Sequence, residues 1–146
     1  MPVLISNNQK RHRLPVRKIQ TKAQAVLSAL GSPEAELSLL ITDDTEIALY
    51  NAAYLKRTGP TNVIAFPMTE GEYADISPGL LGDVVISVDT AAREARDMEI
   101  GLEERFTQLL IHGILHLLGY DHETSETAAQ EMERKSAELL NIIGHL

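Results

Sequence analysis

The segment Ile111-His112-Gly113-Ile114-Leu115-His116-Leu117-Leu118-Gly119-Tyr120-Asp121-His122 constrains this chain more than any other. Residues four apart on a helix share a face one turn apart, so His112 and His116 stack on one side of a helix spanning Leu102 to Leu118. Gly119 is suited to the left-handed conformation that ends a helix and reverses the chain. That reversal brings His122 back toward the other two. Three imidazoles converging with a fourth position left open describe a catalytic metal site, whereas structural zinc sites are closed by four ligands. The expected cofactor is therefore Zn(2+), one per chain, bound by His112, His116 and His122. Imidazole also suits copper, nickel and iron. The chain has no cysteine, so thiolate ligation and disulfides do not arise.

The spacing HxxxHxxGxxH also occurs in the extended zinc-peptidase motif HExxHxxGxxH. Gly113 stands where such a peptidase carries its general-base glutamate. The metal cage is present and the usual proton acceptor is missing, which disfavours peptide hydrolysis by that route.

Around this segment the sequence reads as βαβα, then two strands, then three helices. Residues 3–7 and the apolar run at 36–42 read as strands, with a helix between them from Val16 to Leu30 that opens after Pro15 and stops at Gly31. Asp43 or Asp44 caps a helix reaching about Lys56, and Thr58-Gly59-Pro60 breaks it. Strands follow at 62–66 and 80–88, separated by a polar stretch at 69–79 that reads as an exposed loop. Asp89 caps a helix to about Met98. Thr124 or Ser125 caps the last helix, which runs to about Ile143. The expected fold is α+β: one domain over 1–146, with a small mixed four-stranded sheet packed by about five helices and the zinc site at the end of a central helix.

The formal net charge of −8 argues against a general nucleic-acid binder, but the charge is unevenly spread. Six of the 13 Lys and Arg are Lys10, Arg11, Arg13, Arg17, Lys18 and Lys22, while none of the 21 Asp and Glu precedes Glu34. The two readings are a phosphate-facing patch on an acidic body and a solvated helix face. The N-terminal residues do not have the order of a secretory signal, and no apolar run reaches membrane-spanning length, so a cytoplasmic location is expected.

HGILHLLGYDH resembles the signature of the YbeY family, zinc-dependent endoribonucleases of ribosomal RNA maturation. Pro60-Thr61-Asn62-Val63-Ile64-Ala65-Phe66-Pro67 and Leu80-Leu81-Gly82-Asp83-Val84-Val85-Ile86-Ser87 resemble the same family in the same order. The similarity spans roughly residues 36 to 140. It implies cleavage of single-stranded RNA, processing of the 16S rRNA 3′ end, ribosome quality control, and binding to the small ribosomal subunit and its assembly factors. It implies catalytic roles for Arg57 and His112, with Arg57 presenting donors to a phosphoryl group. Lys10, Arg11, Arg13, Arg17, Lys18 and Asn62 are candidate RNA contacts. Asp121 either moves a proton or orients an imidazole from behind. Two other functions fit parts of the pattern: a non-catalytic zinc-containing assembly factor, and a metallopeptidase-like hydrolase.

Overall fold

The computed structural model describes residues 3–68, 80–121, 123, 125–144 and 146. Four strands, β1 (Val3–Asn7), β2 (Glu36–Thr42), β3 (Val63–Pro67) and β4 (Leu80–Ser87), form one sheet in the order β1-β2-β4-β3. The pairs β1–β2 and β2–β4 are parallel, and β3 runs antiparallel along the outer edge of β4. Parallel neighbours need a crossover connection. Helix α1 (Val16–Ala29) supplies one between β1 and β2, and α2 (Asp44–Leu55) begins the longer one from β2 to β4. Helices α3 (Val88–Met98), α4 (Leu102–Leu117) and α5 (Glu126–Ile143) complete the chain order. The mixed four-stranded sheet and five helices agree with the α+β expectation.

Alternation along each strand divides the apolar residues between two faces. Leu37, Leu39 and Ile41 of β2 and Val84 and Ile86 of β4 meet α1, α3, α4 and α5 in the main core. Val85, with Ile64 of β3, faces the other way and packs on Ile47 of α2. Helix α4 lies at the centre of the larger layer, with Phe106, Leu110, Ile111, Ile114 and Leu115 almost wholly excluded from solvent.

Gly113 sets how closely α4 approaches the sheet. A Cβ at this position would sit 2.7 Å and 3.1 Å from the two γ-methyls of Val84 and 3.3 Å from a γ-methyl of Val63. The residue that stands at the peptidase glutamate position is thus a point of close contact between helix and sheet. Gly82 has φ +144, a conformation L side chains rarely adopt, beside a register shift between β2 and β4.

Several boundaries differ from the sequence expectation, each for a hydrogen-bonding reason. Ser87, not Asp89, caps α3, because its Oγ accepts from Thr90 N at 3.3 Å. Asp89 lies in the first turn, where its carboxylate accepts from Asp44 N at 3.1 Å and pairs with Arg11 and His12 at 3.2 Å each. The third strand takes in Pro67, which an edge strand tolerates since its missing N–H is not needed there. Asp43 caps α2 and Ser125 caps α5. The polar stretch at 69–79 lies outside the described residues.

Two ion-pair groups tie the layers together. Asp44 at the start of α2 accepts from Ser87 Oγ at 2.7 Å, Thr90 Oγ1 at 2.6 Å and Arg93 Nη1 at 2.6 Å. Burial opposes ionisation of Asp44, but these bonds outweigh it and hold its carboxyl below the ordinary value. Lys18 of α1 pairs with Glu103 of α4 at 2.7 Å, and this bond holds Glu103 below its usual range.

Gly113→Ala should lower the urea midpoint. Overpacking costs about 1–3 kcal/mol, more than the helix-propensity gain of about 1 kcal/mol, and Val84→Ala in the same chain should restore part of the loss. An unchanged midpoint would place α4 farther from the sheet. A second outcome concerns acid. Carboxyls with depressed folded pKa values contribute stability above their unfolded values, 3.8 for Asp44 and 4.5 for Glu103, and lose it as pH falls through the folded ones. Glu103→Gln should therefore flatten part of the decline in melting temperature below about pH 4.5, measured against wild type.

Candidate metal centre

Helix α4 delivers two imidazoles to one place. His112 Nε2 lies 3.1 Å from His116 Nε2, with ring centroids 4.7 Å apart and planes at 73°. Nitrogens sharing a tetrahedral zinc at about 2.0–2.1 Å are about 3.3 Å apart, so the pair fits a common cation. The helix then ends as the sequence suggests. Gly119 takes φ +98, its N–H donates to His116 O at 3.1 Å, and Tyr120 N–H donates to Leu115 O at 3.0 Å. These are the two crossed bonds of a Schellman cap. Tyr120 packs against the main core, and Asp121 Oδ1 accepts from Glu123 N at 2.8 Å to continue the reversal. His122 lies outside the described residues. Among the described residues no set of three or more His, Asp or Glu is placed to hold a metal.

The two imidazoles open onto a cavity of about 540 Å³. Arg57, Asn62, His116 and Asp121 line it with His112, so residues expected from three separate segments meet there. Arg57 arrives on the turn after α2, and that turn is tethered. Lys56 adopts a left-handed φ of 56° as the helix cap. Arg57 N donates to Asn51 O at 3.2 Å, and Asn51 Nδ2 donates to Gly59 O at 2.9 Å. Asn51 is buried, and its Oδ1 has no partner among the described residues.

Asn62 lines the cavity, but its amide is committed elsewhere. Its Nδ2 donates to both carboxylate oxygens of Glu94 at 3.2 Å, and its Oδ1 accepts from Val63 N at 2.7 Å. Arg105 donates to the same carboxylate through Nε at 3.0 Å and Nη2 at 2.9 Å. Its Nη1 donates to Gln108 Oε1 at 2.7 Å. Asn62, Glu94, Arg105 and Gln108 therefore form a polar ridge beside the imidazoles.

The basic N-terminal residues do not line this cavity. Arg11 pairs with Asp89 and Lys18 with Glu103, and both are exposed, as are Lys10, Arg13 and Arg17. Sequence reasoning missed Asn51, Glu94, Arg105 and Glu123, the last of which lines the cavity. Only Glu123 had a signal, its nearness to the histidine segment.

Residues 4–144 match the family model described as Endoribonuclease YbeY. The chain is 52% identical over 136 residues to the Endoribonuclease YbeY of Syntrophotalea carbinolica, covering 92% of this chain and 91% of that one. It is 48% identical over 144 residues to that of Geobacter sulfurreducens, covering 98% and 96%. With the protein of the same name from Aquifex aeolicus it shares 47% over 134 residues, covering 92% and 85%. The solution structure of TM1509 from Thermotoga maritima superposes with a TM-score of 0.66 at 20% identity, over 97% of this chain and 88% of that one. That likeness speaks to the fold.

A zinc titration checks the pairing of the imidazoles. Ligand that binds only the folded state stabilises it by about 2.7 kcal/mol at a hundredfold excess over Kd. The melting temperature of metal-stripped protein should rise with added zinc, and His112→Ala or His116→Ala should abolish the rise. An equal rise in both variants would place the ion elsewhere.

Proposed function

The chain belongs to the endoribonuclease YbeY family, and from that premise we propose that it is a zinc-dependent endoribonuclease cutting single-stranded RNA during ribosomal RNA maturation. The observation that carries the reading is the convergence of His112 and His116 on a cavity that Arg57 and Asp121 also line. His112, His116 and, by the sequence spacing, His122 are the residues that would hold the ion. When bound, it supplies Lewis acidity and a nucleophile at neutral pH.

The remaining work falls to the chain. Arg57 is exposed at the cavity, where its guanidinium fork suits the oxygens of a phosphodiester gaining charge in the transition state. Asp121 lines the same cavity one residue before His122, placed either to handle a proton or to orient an imidazole. Lys10, Arg11, Arg13, Arg17 and Lys18, all exposed, extend the surface available to the RNA backbone, with salt-sensitive contacts. The small ribosomal subunit, its assembly factors and the 16S rRNA 3′ end are the expected context, in the cytoplasm. No helix among the described residues is long and apolar enough to cross a membrane.

Packing weighs against a peptidase. Gly113 borders the cavity, but a Cβ there would clash with Val84, so the helix as seated on the sheet leaves no room for the peptidase glutamate.

Purified protein with zinc should cut unstructured RNA and stop when chelator is added. Arg57→Ala should lower kcat by about 100-fold, the scale of removing one transition-state donor, and His116→Ala should leave no activity. Equal cleavage by all three proteins would identify a contaminating nuclease and overturn the assignment.

A further inference from the structure

A second cavity, about 480 Å³, lies in the groove between α4 and α5. It shares Asn62 and His112 with the metal-centre cavity, so the two adjoin across the histidine. Its volume is within the range of small-molecule sites. Leu109 and Leu140 give it an apolar lining, while Arg105, Gln108, Glu133 and Ser136 contribute polar groups.

Arg105 is held in an unusual way for a surface arginine. Three of the five N–H donors of a guanidinium are engaged, two with Glu94 and one with Gln108. Glu94 is fixed in turn by Asn62. The side chain is only 19% exposed. These bonds lie in the guanidinium plane and fix its orientation. They leave two N–H donors and the flat faces, and arginine planes are stacking platforms for unpaired RNA bases.

We infer that this groove is a nucleobase subsite, in which a base next to the scissile phosphate stacks on the Arg105 guanidinium above Leu109 and Leu140. The inference rests on the nuclease reading and deepens it. A phosphate near His112 leaves its neighbouring nucleotide beside the shared wall, and a single strand can turn its base into the groove. A base paired in a duplex cannot, so the subsite would itself favour single strands.

The test uses oligoribonucleotides carrying one abasic residue at successive positions around the cleavage point. With wild-type protein and zinc, one position should lower kcat/KM about tenfold or more, the scale of one lost base stack, and the others less. In Arg105→Lys, which keeps the charge and loses the plane, that position should cost no more than its neighbours. Ala137 is exposed on α5 at the groove wall. Ala137→Leu fills space without disturbing the core and should erase the penalty in the same way, whatever Arg105→Lys does to stability. A penalty of equal size in Ala137→Leu, or no position that stands out in wild type, overturns the subsite while leaving the nuclease intact. Failure of wild-type protein to cut any of these RNAs overturns both.

Discussion

The contact of α4 with β4 is the constraint from which the rest follows. Both of its sides are committed: Val84 is β-branched and rigid, and position 113 has no side chain to give way. Interiors packed to this density transmit small displacements. The helix therefore cannot roll without lifting off the sheet, and the rotation that seats Gly113 on Val84 also decides where His112 and His116 point. The histidine pair and the core are aspects of a single packing solution. Val84 belongs to the main cluster of buried side chains, together with Phe106, Leu110, Ile111, Ile114 and Leu115 of the same helix.

Local features are the ones legible in the sequence. The histidine pair depends on helix periodicity, and the reversal at Gly119 depends on bonds within one turn, so both can be read from residues 111–122. Arg57 and Asn62 reach the cavity for a less local reason, the antiparallel seating of β3 on β4, and the resemblance to a family supplied what periodicity could not. The polar ridge was not legible at all. Glu94 and Arg105 look like ordinary charges of amphipathic helices, and only the packing of α3 on α4 beside β3 makes them partners of Asn62. The cap of α3 shows the same limit in miniature. Ser87 and Asp89 are both good capping residues, and the choice falls to Ser87 because Asp89 is drawn into pairs with Arg11, His12 and the start of α2.

Charge tells a similar story. The basic N-terminal stretch stands out in composition, yet part of it is internal structure: Arg11 anchors to α3 and Lys18 to α4. Lys22 is nearly buried and donates to Thr107 Oγ1 at 3.2 Å. Arg11 and Lys18 make these pairs with exposed side chains, so of the six only Lys22 is withdrawn from the surface. A count of charges overstates the electrostatic reach of the segment.

Asn51 sets two properties of the molecule against each other. Its Nδ2 moors the turn that bears Arg57, but its Oδ1 is buried with nothing to accept from among the described residues. A buried acceptor left in that condition costs about 1–3 kcal/mol. An aliphatic residue would suit the surroundings better and would set the turn adrift. Heat resistance and accurate placement of the arginine are thus opposed within one carboxamide, so selection for robustness alone would erode the site from beneath.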